Sequence, residues 1–264
     1  MARRTDVEWL SFERGLKPAI RRSVDPTEVA FEVARFERAG AAVVHVPALS
    51  IGGRSVDVLY VARGRGAAEA LAGAEARSLA GDREGHRRLG AALGFPPCCV
   101  DAFCTRLARG IDVLPNGSRG HAEDYVAARD AWVPHANPLL NCLLLRERCQ
   151  LVSFYPCRFD CDAAGAQARA IAEALRDVNR SECADVVRTL ARPIAIRSDG
   201  ARAWVTRELG RIVAAEATRR PDSDVVDAAN AAFAATLAGA SVGETGAIGD
   251  DKIPAAPWHL PFGE

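Results

Sequence analysis

The chain has 264 residues, of which 49% are hydrophobic and 26% are charged. A polypeptide of this length and apolar content can bury a substantial core, which excludes disorder throughout. Its 34 basic and 34 acidic residues cancel, so net charge gives no indication of nucleic-acid binding or of attraction to an anionic membrane surface.

The first residues carry charge, but no apolar signal-peptide core follows them, and no stretch of about 18 apolar residues occurs anywhere. We therefore expect a soluble, cytoplasmic protein without a membrane partner. In that compartment the eight cysteines are expected to be mostly reduced, which favours metal binding or catalysis over a disulfide framework.

Residues 1–80 are predicted to form a small N-terminal α/β unit. Residues 25–28 (Asp-Pro-Thr-Glu) supply an N-cap, a first-turn proline and a capping acid for a helix that ends near Gly40. Two β-rich runs at 42–46 and 56–61 predict strands. The alanine-rich run at 67–80 then predicts another helix.

Residues 81–192 are predicted to form a helical block that contains every cysteine, and 193–264 a hairpin, a helix and a Gly/Pro-rich tail. The tail includes Trp258, Leu260 and Phe262, which could dock as an apolar strap or belong to a disordered end. The predicted fold class is a helix-rich α+β protein. Whether the three regions are separate domains or one compact domain stays open at this stage.

Two proline-cysteine segments are the most informative feature of the sequence: Pro97-Cys98-Cys99 and the run from Pro156 to Cys161. Each is expected to open a helix, because proline is favoured in the first turn and because the dipole of a helix N-terminus stabilises a thiolate. A helix from Pro156 would place Cys157 and Cys161 on one face at i and i+4.

The cysteines of the two segments predict a single site for a metal ion or a metal-containing cofactor. Its expected ligands are Cys98, Cys99, Cys157 and Cys161, with Cys104 as a reserve ligand. The remaining cysteines have no matching partner in a motif, and we expect them to pack in the core as small hydrophobes. They are Cys142, Cys149 and Cys183.

The ligand spacing bears on the identity of the metal. Zinc is usually held by C-x₂₋₄-C knuckles, which the adjacent pair Cys98-Cys99 does not form. An iron-sulfur cluster spreads its ligands more widely, so the sequence favours a [4Fe-4S] cluster with three or four protein ligands. Zinc is the alternative cofactor.

Three other residues are candidates for catalytic roles. His135 and Asn141 lie in the central block, and a cysteine-histidine-asparagine hydrolase would need such partners. Arg158 lies between the two later cysteines and could bind an anionic substrate. Asn137 followed by Pro138 is typical of an N-cap and a first-turn proline.

The residues from Leu93 to Phe103 and from Tyr155 to Cys161 resemble a prokaryotic family of unknown function that carries G-[YF]-P-x-C-C-x-x-x-F and P-C-x-x-x-C motifs. The resemblance covers mainly residues 87–162 and implies that the two segments build one site. The pairing of a CC motif with a distant cysteine pair is also similar to iron-sulfur epoxyqueuosine reductases, whose second motif is C-x-x-C.

Three hypotheses for the function follow. The first is an iron-sulfur oxidoreductase or lyase that acts on a small molecule or modified nucleoside, by redox chemistry with an electron donor or by Lewis-acid chemistry. The second is a zinc-stabilised, non-catalytic interaction module. The third is a metal-free enzyme that uses a cysteine nucleophile or thiol redox chemistry.

Overall fold

The computed structural model shows a helix-rich α+β protein, as predicted. The chain divides into two compact units: residues 1–109 with 115–118, and residues 110–114 with 119–264. The finer division at residues 80 and 192 stays a prediction. The structure describes residues 5–51, 54–108, 125–126, 128–144, 149–197, 201–208, 211–218, 227–237, 239–240, 242, 248, 258–260 and 262.

The first unit is built around a small antiparallel sheet with helices on both faces. Its elements, in chain order, are α1 (Val7–Glu13), β1 (Ala19–Val24), α2 (Val29–Arg38), β2 (Ala42–Ile51), β3 (Arg54–Ala62), α3 (Arg65–Leu79), α4 (Arg83–Ala92) and α5 (Pro97–Ala108). The strand order is β1-β3-β2, and both pairings are antiparallel. The predicted strands at 42–46 and 56–61 and the helix at 67–80 are confirmed as β2, β3 and α3.

Alternation along β3 divides the core of this unit into two clusters. Leu59 and Val61 belong to the cluster that contains Phe36 of α2, whereas Val58 and Tyr60 belong to the cluster that contains Leu71 of α3. Successive side chains of a strand point to opposite faces. The sheet is therefore covered by α1 and α2 on one face and by α3 and α4 on the other.

β3 is the middle strand of the sheet because β1 and β2 pair with its two edges. β1 was not predicted from the sequence. Arg21 and Arg22 interrupt its apolar pattern. Both arginines are paired with acids on helices: Arg21 binds Glu75 of α3 at 2.8 Å, and Arg22 binds Glu32 of α2 at 3.3 Å. The two arginines make the strand difficult to recognise in the sequence, and their ion pairs connect it to the helices on both faces of the sheet.

The second unit contains a short 3₁₀ helix, two consecutive α-helices, a second antiparallel sheet and a further helix. Its elements are the 3₁₀ helix (Pro138–Leu140), α6 (Asp162–Val178), α7 (Arg180–Leu190), β4 (Ile194–Ile196), β5 (Arg202–Glu208), β6 (Arg211–Ala217), α8 (Ala228–Leu237) and β7 (Trp258–Leu260). The predicted hairpin is confirmed as β4 and β5, while its turn at 198–200 lies outside the described residues. The strand order is β6-β5-β4-β7.

The end of the chain contributes the edge strand β7, which pairs antiparallel with β4 so that Leu260 is opposite Ile194. Leu260 and Phe262 are both fully buried. Of the two expectations for the tail, these residues follow the docked one. We refer to residues 258–260 together with Phe262 as the strap.

Among the residues that the structure describes, no helix combines the length and apolar composition needed to cross a membrane.

Candidate metal centre

The first pair of cysteines lies at the start of α5, where backbone hydrogen bonds end one helix and begin the next. Phe95 N–H donates to Gly90 O at 2.9 Å and closes α4. Pro96 O then accepts from the N–H groups of Cys99, at 2.9 Å, and Val100, at 3.1 Å. Pro97 occupies the first helical position, so the predicted helix start is confirmed.

The turn that leads into α5 is tightly packed. Gly94 has a φ of 74°, in the left-handed region, and a Cβ built there would lie 2.5 Å from Pro18 Cδ. Lys17 is buried, binds Glu8 at 2.6 Å and holds its ammonium 5.4 Å from the centroid of the Phe95 ring. The segment before Cys98 is therefore fixed by contacts with the start of the chain.

The second pair of cysteines lies in a loop, and the predicted helix from Pro156 is wrong. α6 begins only at Asp162, with Cys161 as its N-cap in an extended conformation. Between the cysteines the chain makes a turn in which Cys161 N–H donates to Arg158 O at 3.1 Å. The helix fails because the backbone of this segment forms its hydrogen bonds with distant residues instead.

Those distant bonds meet at Phe159, midway between the two cysteines. Its N–H donates to Ala131 O at 2.9 Å, and its carbonyl accepts from Asn137 N–H at 2.7 Å. Its ring is buried and packs edge-to-face on Phe262, with centroids 5.0 Å apart. We call residues 156–161 the cysteine loop.

The structure brings four sulfurs together: those of Cys98, Cys99, Cys157 and Cys161 all lie within 4.8 Å of one another. The Sγ atoms of Cys98 and Cys99 are 3.9 Å apart, and none of the four cysteines is in a disulfide. Such a group of thiols could hold a metal ion. The assignment of the four residues as ligands stays a prediction.

The four cysteines differ in how exposed they are to solvent. Cys99 is buried, Cys157 and Cys161 are partly exposed, and Cys98 is exposed. Cys98 and Cys99 occupy the first turn of α5, and Cys161 caps α6 without using its side chain in a capping hydrogen bond. The N–H groups and the dipole at a helix start stabilise negative charge that lies nearby.

The other cysteines lie outside this group and are buried. Burial raises the pKa of the Cys104 thiol, and its role as a reserve ligand stays a prediction. Cys183 Sγ contacts Ala172 O of α6 at 3.2 Å, and Cys149 Sγ contacts Val186 O of α7 at 3.9 Å. These contacts suit packing between helices.

The candidate catalytic residues have different surroundings. Asn141 is fully buried, where its side chain donates to Leu190 O at 3.1 Å and accepts from Leu143 N–H at 3.3 Å. His135 is exposed. The exposed Arg158 forms two hydrogen bonds with Asp160, at 2.9 and 2.7 Å, which raise the pKa of its guanidinium.

Asn137 behaves as predicted for a cap, because its side-chain oxygen accepts from Leu139 N–H at 3.1 Å and opens the 3₁₀ helix. Sequence reasoning missed Phe159 and Phe262 as supports of the site. The available signal was the placement of an aromatic residue between Arg158 and Asp160, where a solvated loop would have a polar residue.

Comparisons with protein-family models, with curated proteins and with solved structures return no match to this chain.

Proposed function

We propose that this protein binds one metal ion through the thiolates of Cys98, Cys99, Cys157 and Cys161, and that the ion is zinc in a structural role. The observation that carries the proposal is the approach of all four sulfurs to within 4.8 Å of one another. Four thiolates and no water are the donor set of a closed, structural zinc site.

The spacing of the sulfurs supports a single ion over a cluster. A tetrahedron with Zn–S bonds of about 2.3 Å has edges of about 3.8 Å, close to the 3.9 Å between the Sγ atoms of Cys98 and Cys99. The ligands of a [4Fe-4S] cluster are bonded to different irons, which separates neighbouring sulfurs by roughly 6 Å. The adjacent cysteines that suggested a cluster in the sequence therefore favour a compact ion once their geometry is known.

Local electrostatics support the same proposal. A divalent ion with four thiolates carries net negative charge, which the N-termini of α5 and α6 stabilise through their exposed N–H groups. A reducing compartment such as the cytoplasm would keep the thiols available. The family resemblance, which pairs the two proline-cysteine segments, agrees with a shared site.

A second candidate is an iron-sulfur enzyme, and the exposure of Cys98 favours it. An accessible side of the centre would let a small molecule or modified nucleoside reach an iron, or let an electron donor approach. Because Cys98 is exposed and Cys157 lies outside regular secondary structure, both could move outward to accept a larger group.

Metal analysis of the anaerobically purified full chain tests both candidates. We expect about one zinc per chain and no visible colour. Single alanine variants of Cys98, Cys99, Cys157 and Cys161 should lose most of the metal. The matched controls Cys142→Ala and Cys183→Ala remove buried thiols outside the group and should keep it.

Each alternative gives a different result. A brown protein that contains iron and sulfide would contradict the zinc proposal and support the iron-sulfur candidate, with the same four cysteines as ligands. Equal metal content in all six variants would overturn the ligand assignment. A folded, metal-free protein with one rapidly alkylated thiol would support the metal-free cysteine enzyme instead.

A further inference from the structure

We infer that the strap is a positioning element of the metal centre, with Phe262 as the residue through which it acts on the cysteine loop. This inference rests on the proposed function. It adds that the affinity of the site for metal depends on docking of the strap, which lies about a hundred positions beyond the cysteine loop.

The first step of the argument concerns the known bonds within the cysteine loop. They include the turn bond from Cys161 N–H to Arg158 O and the solvent-exposed ion pair between Arg158 and Asp160. Exposed pairs of this kind contribute little to stability. Contacts from outside the loop can therefore contribute to the positions of the two sulfurs.

The second step is that Phe159 receives those contacts. Backbone hydrogen bonds hold it to Ala131 and Asn137, and its ring meets Phe262 edge-to-face. Phe159 is two residues from each cysteine. A displacement of its ring would consequently move both Cys157 and Cys161.

The third step is that Phe262 is itself held in place. It makes a parallel bridge with Ala136, beside Asn137, and its N–H donates to Leu260 O at 3.0 Å. Leu260 belongs to β7, which is paired with β4. The strap thus connects the second sheet to the residue at the centre of the cysteine loop.

Supporting residues behind metal ligands typically change metal affinity by about 10- to 100-fold when they are removed. We expect Phe262→Ala to weaken binding within that range. Phe262→Leu, which keeps most of the apolar volume, should restore much of the affinity. Phe233→Ala is the matched control, because Phe233 is equally buried but packs in a different cluster, with Val205 and Ile212.

Cobalt(II) is the probe, since tetrahedral cobalt-thiolate centres have visible bands that report ligand geometry. Full-length chains are titrated with cobalt against a competing chelator, and circular dichroism checks that each variant is folded. Phe262→Ala should bind more weakly and show altered bands, whereas Phe233→Ala should keep the wild-type spectrum and affinity even if its melting temperature falls. If Phe262→Ala does not fold, the comparison is made with Phe262→Leu, which lacks the edge-to-face ring contact and should still bind cobalt measurably more weakly than the wild type.

Two failures are distinguishable. Absence of thiolate-bound cobalt in the wild-type chain would overturn the proposed metal centre. Normal binding by the wild type, with equal affinity and spectra in the Phe262 variants and Phe233→Ala, would overturn the positioning role and leave the metal centre intact.

Discussion

The two cysteine pairs, whose sulfurs lie within 4.8 Å of one another, are held by different structural means. Cys98 and Cys99 lie at a helix start that is defined by residues immediately before them, from Gly90 to Pro97. Cys157 and Cys161 lie in a loop whose central residue, Phe159, contacts Ala131, Asn137 and Phe262. Cysteines that were predicted as ligands of one site can thus be placed by local capping in one case and by distant packing in the other.

This difference explains what the sequence could reveal. The Gly-Phe-Pro-Pro run combines a left-handed glycine with a first-turn proline, and both act through their own backbone. Pro156 offered the same first-turn signal, but hydrogen bonds from Phe159 to residues more than twenty positions away prevailed. Local propensity is a weak prior wherever tertiary contacts compete with it.

The largest expected effect tests the local half of the comparison. Gly94→Ala places a side chain at a φ of 74° and against the rigid ring of Pro18, and we expect a loss of about 2–4 kcal/mol in the free energy of unfolding. Urea denaturation measures this change.

The control for Gly94 is Gly73 in the interior of α3, where an added Cβ meets no atom within 4 Å. Gly73→Ala should stabilise the protein by about 0.5–1 kcal/mol, because alanine is the better helix former. Equal effects of the two substitutions would show that the turn before Cys98 is not under the constraint described here.

A smaller effect tests the distant half. Asn137→Ala removes the side-chain cap of the 3₁₀ helix and should cost about 1 kcal/mol. Asn179→Ala removes the equivalent cap of α7, where Asn179 accepts from Glu182 N–H at 3.1 Å, and should cost a similar amount. Only Asn137→Ala should also weaken cobalt binding, because Asn137 adjoins the cysteine loop. Equal cobalt affinity in both variants would argue against long-range support of the loop.

The smallest expected effect is a loss of stability at low pH, and it concerns the unit that contains Cys98 and Cys99. Burial raises the pKa of Asp6, but attraction and hydrogen bonding to Arg22 outweigh it and leave that pKa below its ordinary value. The carboxylate therefore stabilises the fold above the ordinary pKa near 3.8. This stabilisation is lost as the pH falls from there through the lower folded pKa.

Asp6→Asn isolates this contribution, because asparagine keeps the capping hydrogen bond to Trp9 N–H but carries no charge. Denaturation of metal-free protein between pH 6 and about 2.5 should show a steeper loss of stability in the wild type than in the variant. The exposed Asp160 pair provides the comparison, and Asp160→Asn should change the pH profile less. Parallel profiles for wild type and Asp6→Asn would contradict the assignment.

Pattern recognition worked for elements whose signals lie within them. Strands β2 and β3, helix α3 and the hairpin of β4 and β5 were predicted because apolar periodicity and glycine breaks mark them. Helix α2 begins at Val29, later than predicted, because Asp25 forms a turn with Thr27 instead of capping the helix. The missed strand β7 is three residues long and is defined by its pairing with β4.

The features of the candidate site also differ in how far the sequence predicts them. The four cysteines could be selected from sequence because proline and adjacent thiols mark them, and the structure places their sulfurs together. The identity of the metal stays a proposal, because spacing along the chain does not determine distances between sulfurs in space. Asn141 forms two hydrogen bonds with backbone groups, and its catalytic role stays a prediction.

The packing of Phe262 on Phe159 also has a consequence during biosynthesis. Phe262 is translated about a hundred residues after Cys161, which at about 5–20 residues per second is a delay of roughly 5–20 seconds. During that interval all four cysteines have been synthesised, but the strap that packs against the cysteine loop has not. The proposed metal loading is therefore expected to follow, and not to accompany, synthesis of the cysteine-bearing segments.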